Sequence, residues 1–234
     1  MKNSQKTVCI VGASGLLGSN VLKEALARGY KVNGTLRDVN APDKATFLNA
    51  LPNADRNLRL FESEMADEKS FIEAFSNVDC VFIACLIPVY KGHTGKLARE
   101  MDDEQGYAEI IMPTVNGCLN ILKSAARQGV KNIVICSSTI STNPIPPVPI
   151  KNEIDHWSDE NEQCRAKKYT SATKTVMEKA AIKFAAENGQ RLSIILPTGM
   201  FGPVILPIHI KGNPHSWLKD LIDGKDPKHK IIPN

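Results

Sequence analysis

The stretch "TVCIVGASGLLGSNVLKEALARG", residues 7–29, decides the fold. "TVCIV" (7–11) is a short β-branched run that stops at a glycine, the pattern of a buried strand. "LLGSNVLKEALARG" repeats its apolar residues at helical spacing and ends on Gly29, a helix C-terminal cap. Between them Gly12, Gly15 and Gly18 stand in a GxxGxxG spacing. In a strand-to-helix turn the first glycine allows the tight bend, the second lets a pyrophosphate approach the backbone, and the third lets the helix pack closely on the sheet. The helix N-terminus then offers unpaired N–H groups to the phosphates. Dinucleotide binding is the expectation.

The same alternation continues along the chain. "KVNGTLR" (31–37), "LRLF" (58–61), "DCVFIAC" (79–85), "NIVICSS" (132–138) and "RLSIIL" (191–196) read as further strands. Helices are expected through "DKATFLNAL", "EKSFIEAFSN", a long region ending in "PTVNGCLNILKSAARQG", and "TKTVMEKAAIKFAAENG". Six strands separated by helices predict an α/β fold with a doubly wound parallel sheet, a Rossmann fold, whose ligands bind beyond the carboxyl ends of the strands. The proline-rich "NPIPPVPI" (143–150) reads as a rigid loop after the fifth strand, with a polyproline ligand as the other reading.

Composition sets the class. With 234 residues, 42% hydrophobic and 23% charged, the chain has the make-up of a soluble globular protein. Its 29 basic and 25 acidic residues are spread evenly, which implies no nucleic-acid-binding stripe. The apolar run near the start is too short for a signal peptide or a membrane span, so no membrane partner and a cytoplasmic location are expected. Cys9, Cys80, Cys85, Cys118, Cys136 and Cys164 show no metal-ligand spacing and read as reduced thiols; no metal is expected.

The residues after each strand carry the chemistry. Strand two ends in "TLRD", where Arg37, 19 residues after Gly18, suits the 2′-phosphate of NADP; the other reading pairs Arg37 with Asp38 on the surface. Lys44 adds a second charge on the same side. "ICSST" (135–139) ends strand five with hydroxyls able to donate to a carbonyl, or with loop serines that cap a turn.

Together "GASGLLG", "TLRD", "PTVNGCLNIL", "CSST", "WSD", "KTVMEKAAIKFA" and "ILPTGMFGP" resemble the extended short-chain dehydrogenase/reductases (epimerase/dehydratase-like), in particular the dihydroflavonol reductase, cinnamoyl-CoA reductase and methylglyoxal reductase group. The likeness runs from Thr7 to about Pro203 in one register. It implies an NADP-dependent oxidoreductase that reduces a small-molecule ketone or aldehyde to an alcohol. Gly12, Ser14, Gly15, Leu16, Leu17 and Gly18 would hold the pyrophosphate, Arg37 and Lys44 the 2′-phosphate, and Glu64 with Met65 the adenine. Cys85 would border the cofactor after strand four, Pro197 and Thr198 would lie beside the nicotinamide, and Ser138, Tyr169 and Lys174 would be the catalytic serine, tyrosine and lysine. A homodimer through the long fourth and fifth helices is a further implication.

One count disagrees with the resemblance. In "KKYTSATK" (167–174) Tyr169 precedes Lys174 by five residues, where the family has four, and the family's tyrosine position holds Thr170. Five residues on a regular helix turn through about 140° beyond a full circle, four through about 40°. Three readings stand open: a π-bulge returns Tyr169 to the lysine's face; Tyr169 points away and Lys174 alone keeps the cofactor ribose, so that the chain binds NADPH as a sensor or scaffold with little or no turnover; or Tyr107 or another group supplies the proton. A sugar-nucleotide epimerase or dehydratase is a further option on this fold. Residues 1–197 are read as the NADP-binding domain and 198–234 as the beginning of a substrate lobe, with Trp217 and Leu218 as lobe contacts and His209 and His215 as surface residues.

Overall fold

The computed structural model describes residues 5–211 and 215–225, apart from the side chain of Trp217; the expectation placed on that side chain lies outside the described residues. Six strands, β1 (Thr7–Val11), β2 (Lys31–Leu36), β3 (Leu58–Glu62), β4 (Cys80–Ile83), β5 (Asn132–Cys136) and β6 (Arg191–Ile195), form one sheet in the order β3-β2-β1-β4-β5-β6. Every pairing is parallel. The helices are α1 (Leu16–Ala27), α2 (Pro42–Asn49), α3 (Ala54–Asn57), α4 (Asp103–Gly106), α5 (Met112–Arg127), α6 (Glu160–Arg165), α7 (Tyr169–Glu187) and α8 (His215–Ile222). The expected doubly wound sheet is the observed one.

The period-2 geometry of β1 shows why both faces are covered. Cys9 and Val11 belong to one core, with Phe71, Phe75, Ile110, Ile121, Leu122 and Met177, under α5 and α7. Ile10 belongs to the other, with Leu22, Leu26, Val32, Leu36 and Leu48, under α1 and α2. A strand buried on both faces reads as a continuous apolar run, which is what residues 7–11 are.

Two elements depart from expectation. "EKSFIEAFSN" forms a 3-10 turn over Glu68–Phe71 followed by turns, not a full helix. Asp67 caps its start, isolated bonds such as Phe75 N–H to the Phe71 carbonyl at 3.0 Å close its turns, and burial of Phe71, Ala74, Phe75 and Val78 fixes the chain. The long helical region is interrupted by a π turn over Tyr107–Ile111 between α4 and α5. The segment after β6 does not simply leave the sheet. Leu206 is fully buried in the α1/α2 core, and Asn20 Nδ2 donates to the Pro203 carbonyl at 2.9 Å. "NPIPPVPI" is a loop outside helix and strand, with Ile145 and Ile150 exposed.

Candidate active site

The carboxyl ends of β1, β2 and β4 enclose a cleft of about 430 Å³ lined by Gly12, Ser14, Gly15, Thr35, Arg37, Lys44, Glu64, Met65 and Cys85. Gly12 has φ +81°, and a Cβ there would lie 2.5 Å from Cys85 Cβ, so β4 approaches too closely for any other residue. A Cβ on Gly18 would lie 2.1 Å from the Gly12 carbonyl oxygen, which is how tightly α1 seats on the loop. Gly12 N–H donates to Thr35 Oγ1 at 3.3 Å and Ala13 N–H to the Thr35 carbonyl at 3.0 Å, tying the loop to β2.

The first bond of α1 runs from Ser19 N–H to the Gly15 carbonyl at 2.9 Å, so the amides of Leu16, Leu17 and Gly18 precede the helical ladder. No acidic residue stands in this first turn, and an anion is the natural complement of these groups. Arg37 is exposed at the end of β2 and forms no ion pair among the described residues. Asp38 instead accepts from the Asn40 amide at 2.8 Å, so the surface pairing of Arg37 with Asp38 is not formed. Lys44 reaches the same cleft from the start of α2. A glycine cradle, unpaired amides and two unengaged cations fit a phosphorylated dinucleotide.

Beyond Cys85 lies the second half of the site. Lys174, 7% exposed, lies on the inner side of α7 and donates from Nζ to the Leu86 carbonyl just after β4. Burial lowers its pKa, while nearby Cys136, Glu178, Cys118 and Cys85 act the other way. The thiols are poor acids here: burial pushes both Cys85 and Cys118 up to about 12.

Ser138 follows β5 and opens a 3-10 turn over Thr139–Thr142, its oxygen accepting from the Ile140 amide at 3.4 Å. Among the described residues its hydroxyl proton has no acceptor. The turn is held from both sides. Thr139 N–H donates to the Pro197 carbonyl at 3.2 Å, Ser137 Oγ donates to the buried carboxyl of Glu178, and Ser141 Oγ donates to the Ser138 carbonyl at 2.9 Å. Burial raises the pKa of Glu178 against the bond from Ser137. Pro197 thus adjoins the serine turn, with Thr198 exposed beside it.

Tyr169 is not part of this cluster. It is the first residue of α7, a regular α-helix to Glu187, so the expected π-bulge there does not form. Its ring is fully buried against Gly106, where a Cβ would come within 2.5 Å of the ring carbons. Its hydroxyl donates to Asp103 Oδ1 at 2.6 Å and accepts from Lys167 Nζ at 3.1 Å. Burial, reinforced by the bond to Asp103, raises the phenol pKa, the reverse of what a tuned general acid needs. The π turn of this molecule lies instead on the facing segment, Tyr107–Ile111. Thr173 Oγ1 donates to the Tyr169 carbonyl at 2.9 Å, and the Ile110 carbonyl of that segment lies 3.5 Å from it. Tyr107 itself is 44% exposed.

Sequence reasoning missed Asp103, Gly106 and Glu178. Glu178 stands four residues after Lys174, so its shared helical stripe was a usable signal. Asp103 and Gly106 meet Tyr169 only through the tertiary fold. The two histidines taken as surface residues both bond to backbone: His209 Nε2 lies 2.9 Å from the Ser14 carbonyl oxygen and His215 Nε2 3.0 Å from that of Gly202. All six cysteines are free, and among the described residues no cluster of metal-ligating side chains occurs and no helix is long and apolar enough to cross a membrane.

Known proteins match this arrangement. The bifunctional dihydroflavonol 4-reductase/flavanone 4-reductase of Pyrus communis is 35% identical over 215 residues, covering 88% of this chain and 58% of the relative. A cinnamoyl-CoA reductase of Medicago truncatula is 31% identical, covering 88% of this chain and 61% of its own length. The chain therefore spans about six-tenths of the curated relatives it matches. Among solved structures, vestitone reductase from alfalfa superposes with a TM-score of 0.69 at 26% identity, covering 93% of this chain and 63% of that one. Yeast methylglyoxal/isovaleraldehyde reductase, solved with NADPH, shares the fold at a TM-score of 0.67 and 20% identity, covering 97% and 68%. Residues 8–223 match the NAD dependent epimerase/dehydratase family, and with the parallel sheet and glycine loop in place the chain belongs to that family.

Proposed function

We propose that this chain binds NADPH and reduces the carbonyl of a small-molecule aldehyde or ketone to an alcohol. The observation that carries the reading is the placement of Arg37 and Lys44 in the same cleft as the glycine loop, with Lys174 and Ser138 at the strand ends beyond Cys85. Leu16, Leu17 and Gly18 amides take the pyrophosphate, Arg37 and Lys44 clamp the 2′-phosphate, and Glu64 with Met65 flank the adenine. Pro197 and Thr198 border the nicotinamide, and the cofactor, when bound, supplies the hydride. Ser138 donates its free hydroxyl proton as a hydrogen bond to the substrate oxygen and so polarises the carbonyl. Glu178 holds the turn that carries Ser138. The relatives named for carbonyl reduction support this reading.

The test is NADPH oxidation with a panel of small aldehydes, ketones and flavanone-type carbonyls. Turnover with at least one is expected; none with any of them overturns the assignment. A second reading, an NADPH-binding sensor or scaffold, is favoured by one observation: Thr170 holds the family's tyrosine position while Tyr169 is committed to Asp103. It predicts tight NADPH binding without turnover, and gain of turnover in Thr170→Tyr.

A further inference from the structure

We infer that the Lys174 ammonium itself donates the proton to the carbonyl oxygen, in place of a phenol. The inference rests on the reductase reading above. An ammonium carries three N–H donors, yet the Leu86 carbonyl is the one acceptor Lys174 has among the described residues, and no carboxylate forms an ion pair with it. A cation buried to 7% exposure and left with two unfilled donors is costly unless a ligand completes it.

The groups facing it come from the segment after β4, from β5, from α5 and from its own helix: the thiols of Cys85, Cys136 and Cys118, neutral at physiological pH, and Glu178, whose carboxyl already accepts from Ser137. One helical turn before it stands Thr170, whose aliphatic hydroxyl is too weak an acid for the task. The neighbouring phenol, Tyr169, keeps its proton in the bond to Asp103. Burial weakens the hold of Lys174 on its own proton, which improves it as a donor.

The step balances as follows. The carbonyl carbon accepts the hydride, and the π pair of the C=O bond moves to oxygen. That oxygen takes a proton from Nζ, giving the alcohol and a neutral amine. The amine regains a proton from solvent before the next turnover.

Lys174→Arg separates proton donation from charge, because a guanidinium stays charged and holds hydrogen bonds but does not release its proton in this range. NADPH affinity of the variant, read by fluorescence titration, is expected to stay within about threefold of wild type, while turnover falls by roughly 100-fold or more. Turnover in Lys174→Arg comparable to wild type overturns the inference and leaves the reductase reading standing. Wild-type protein that binds NADPH but reduces nothing in the panel overturns the reading and this inference with it. A second measurement guards against a variant that misfolds: the Lys174 titration in the wild-type NADPH complex, followed by NMR of 13Cε-labelled lysine. Its midpoint is expected to coincide with the alkaline limb of kcat, and a limb displaced from that midpoint removes Lys174 as donor.

Discussion

The phenol of Tyr169 donates a 2.6 Å hydrogen bond to the carboxylate of Asp103, a residue 66 positions earlier in the chain, and so ties the start of α7 to the start of α4. The bond is structural, and Lys167 completes it by donating to both oxygens at 3.1 and 3.0 Å. Tyr169→Phe should therefore lower stability by about 1 kcal/mol, the usual worth of one such bond, as read by denaturant unfolding, without loss of NADPH affinity. An affinity drop would mean the ring contributes to the cofactor cleft.

The same pair sets a pH response. Bonds from Tyr169 and Lys167 hold the Asp103 carboxyl below the usual range. A depressed carboxyl contributes stability that is present above its unfolded pKa, near 3.9, and is lost as pH falls through the folded one. Asp103→Asn should flatten the acid limb of the stability profile below about pH 4; an unchanged limb would assign acid unfolding to other carboxyls.

The glycines of the phosphate loop separate packing from ligand approach. Gly18→Ala places a methyl 2.1 Å from the Gly12 carbonyl oxygen, in backbone that cannot swing aside, and should destabilise by about 1–3 kcal/mol. Gly15→Ala meets that oxygen at an ordinary 3.4 Å, so its melting temperature should stay near wild type while NADPH binding weakens. Equal melting temperatures for the two variants would contradict the geometry.

Arg37→Ala is expected to weaken NADPH binding by roughly 10- to 100-fold, the worth of charge-assisted bonds to a phosphate. NADH has no 2′-phosphate and should lose little. Titration of both cofactors decides it, and an equal loss for both would remove Arg37 as the discriminating residue.

Glu178 offers a test with the opposite sign to Asp103. Burial raises its pKa, so its contribution to stability is fully present below the unfolded value, near 4.3, and is lost as pH rises through the folded one. Glu178→Gln should remove this decline while still accepting from Ser137. Glu178→Leu leaves the buried Ser137 hydroxyl without its acceptor and should cost about 1–3 kcal/mol in thermal or urea unfolding.

Residues 7–29 alone determined the strand, the phosphate loop and the helix behind it, because their chemistry is local: a β-branched run, glycines at fixed offsets and an amphipathic repeat. The parallel pairing followed from alternation, since strands joined by helices have few other ways to cover both sheet faces, while the strand order came from the structure. Arg37 was legible because it stands just after the carboxyl end of β2, whereas Glu64, Met65 and Cys85 came from the family resemblance; all of them line one cleft with Lys44 of α2. The count in "KKYTSATK" could pose the question of Tyr169 but not answer it. Its answer depends on Asp103 and on the missing Cβ of Gly106, groups that meet the ring only once two helical segments pack side by side. A side chain at a helix start takes the direction in which its polar atom finds a partner and its ring finds space, and both were supplied from elsewhere in the chain.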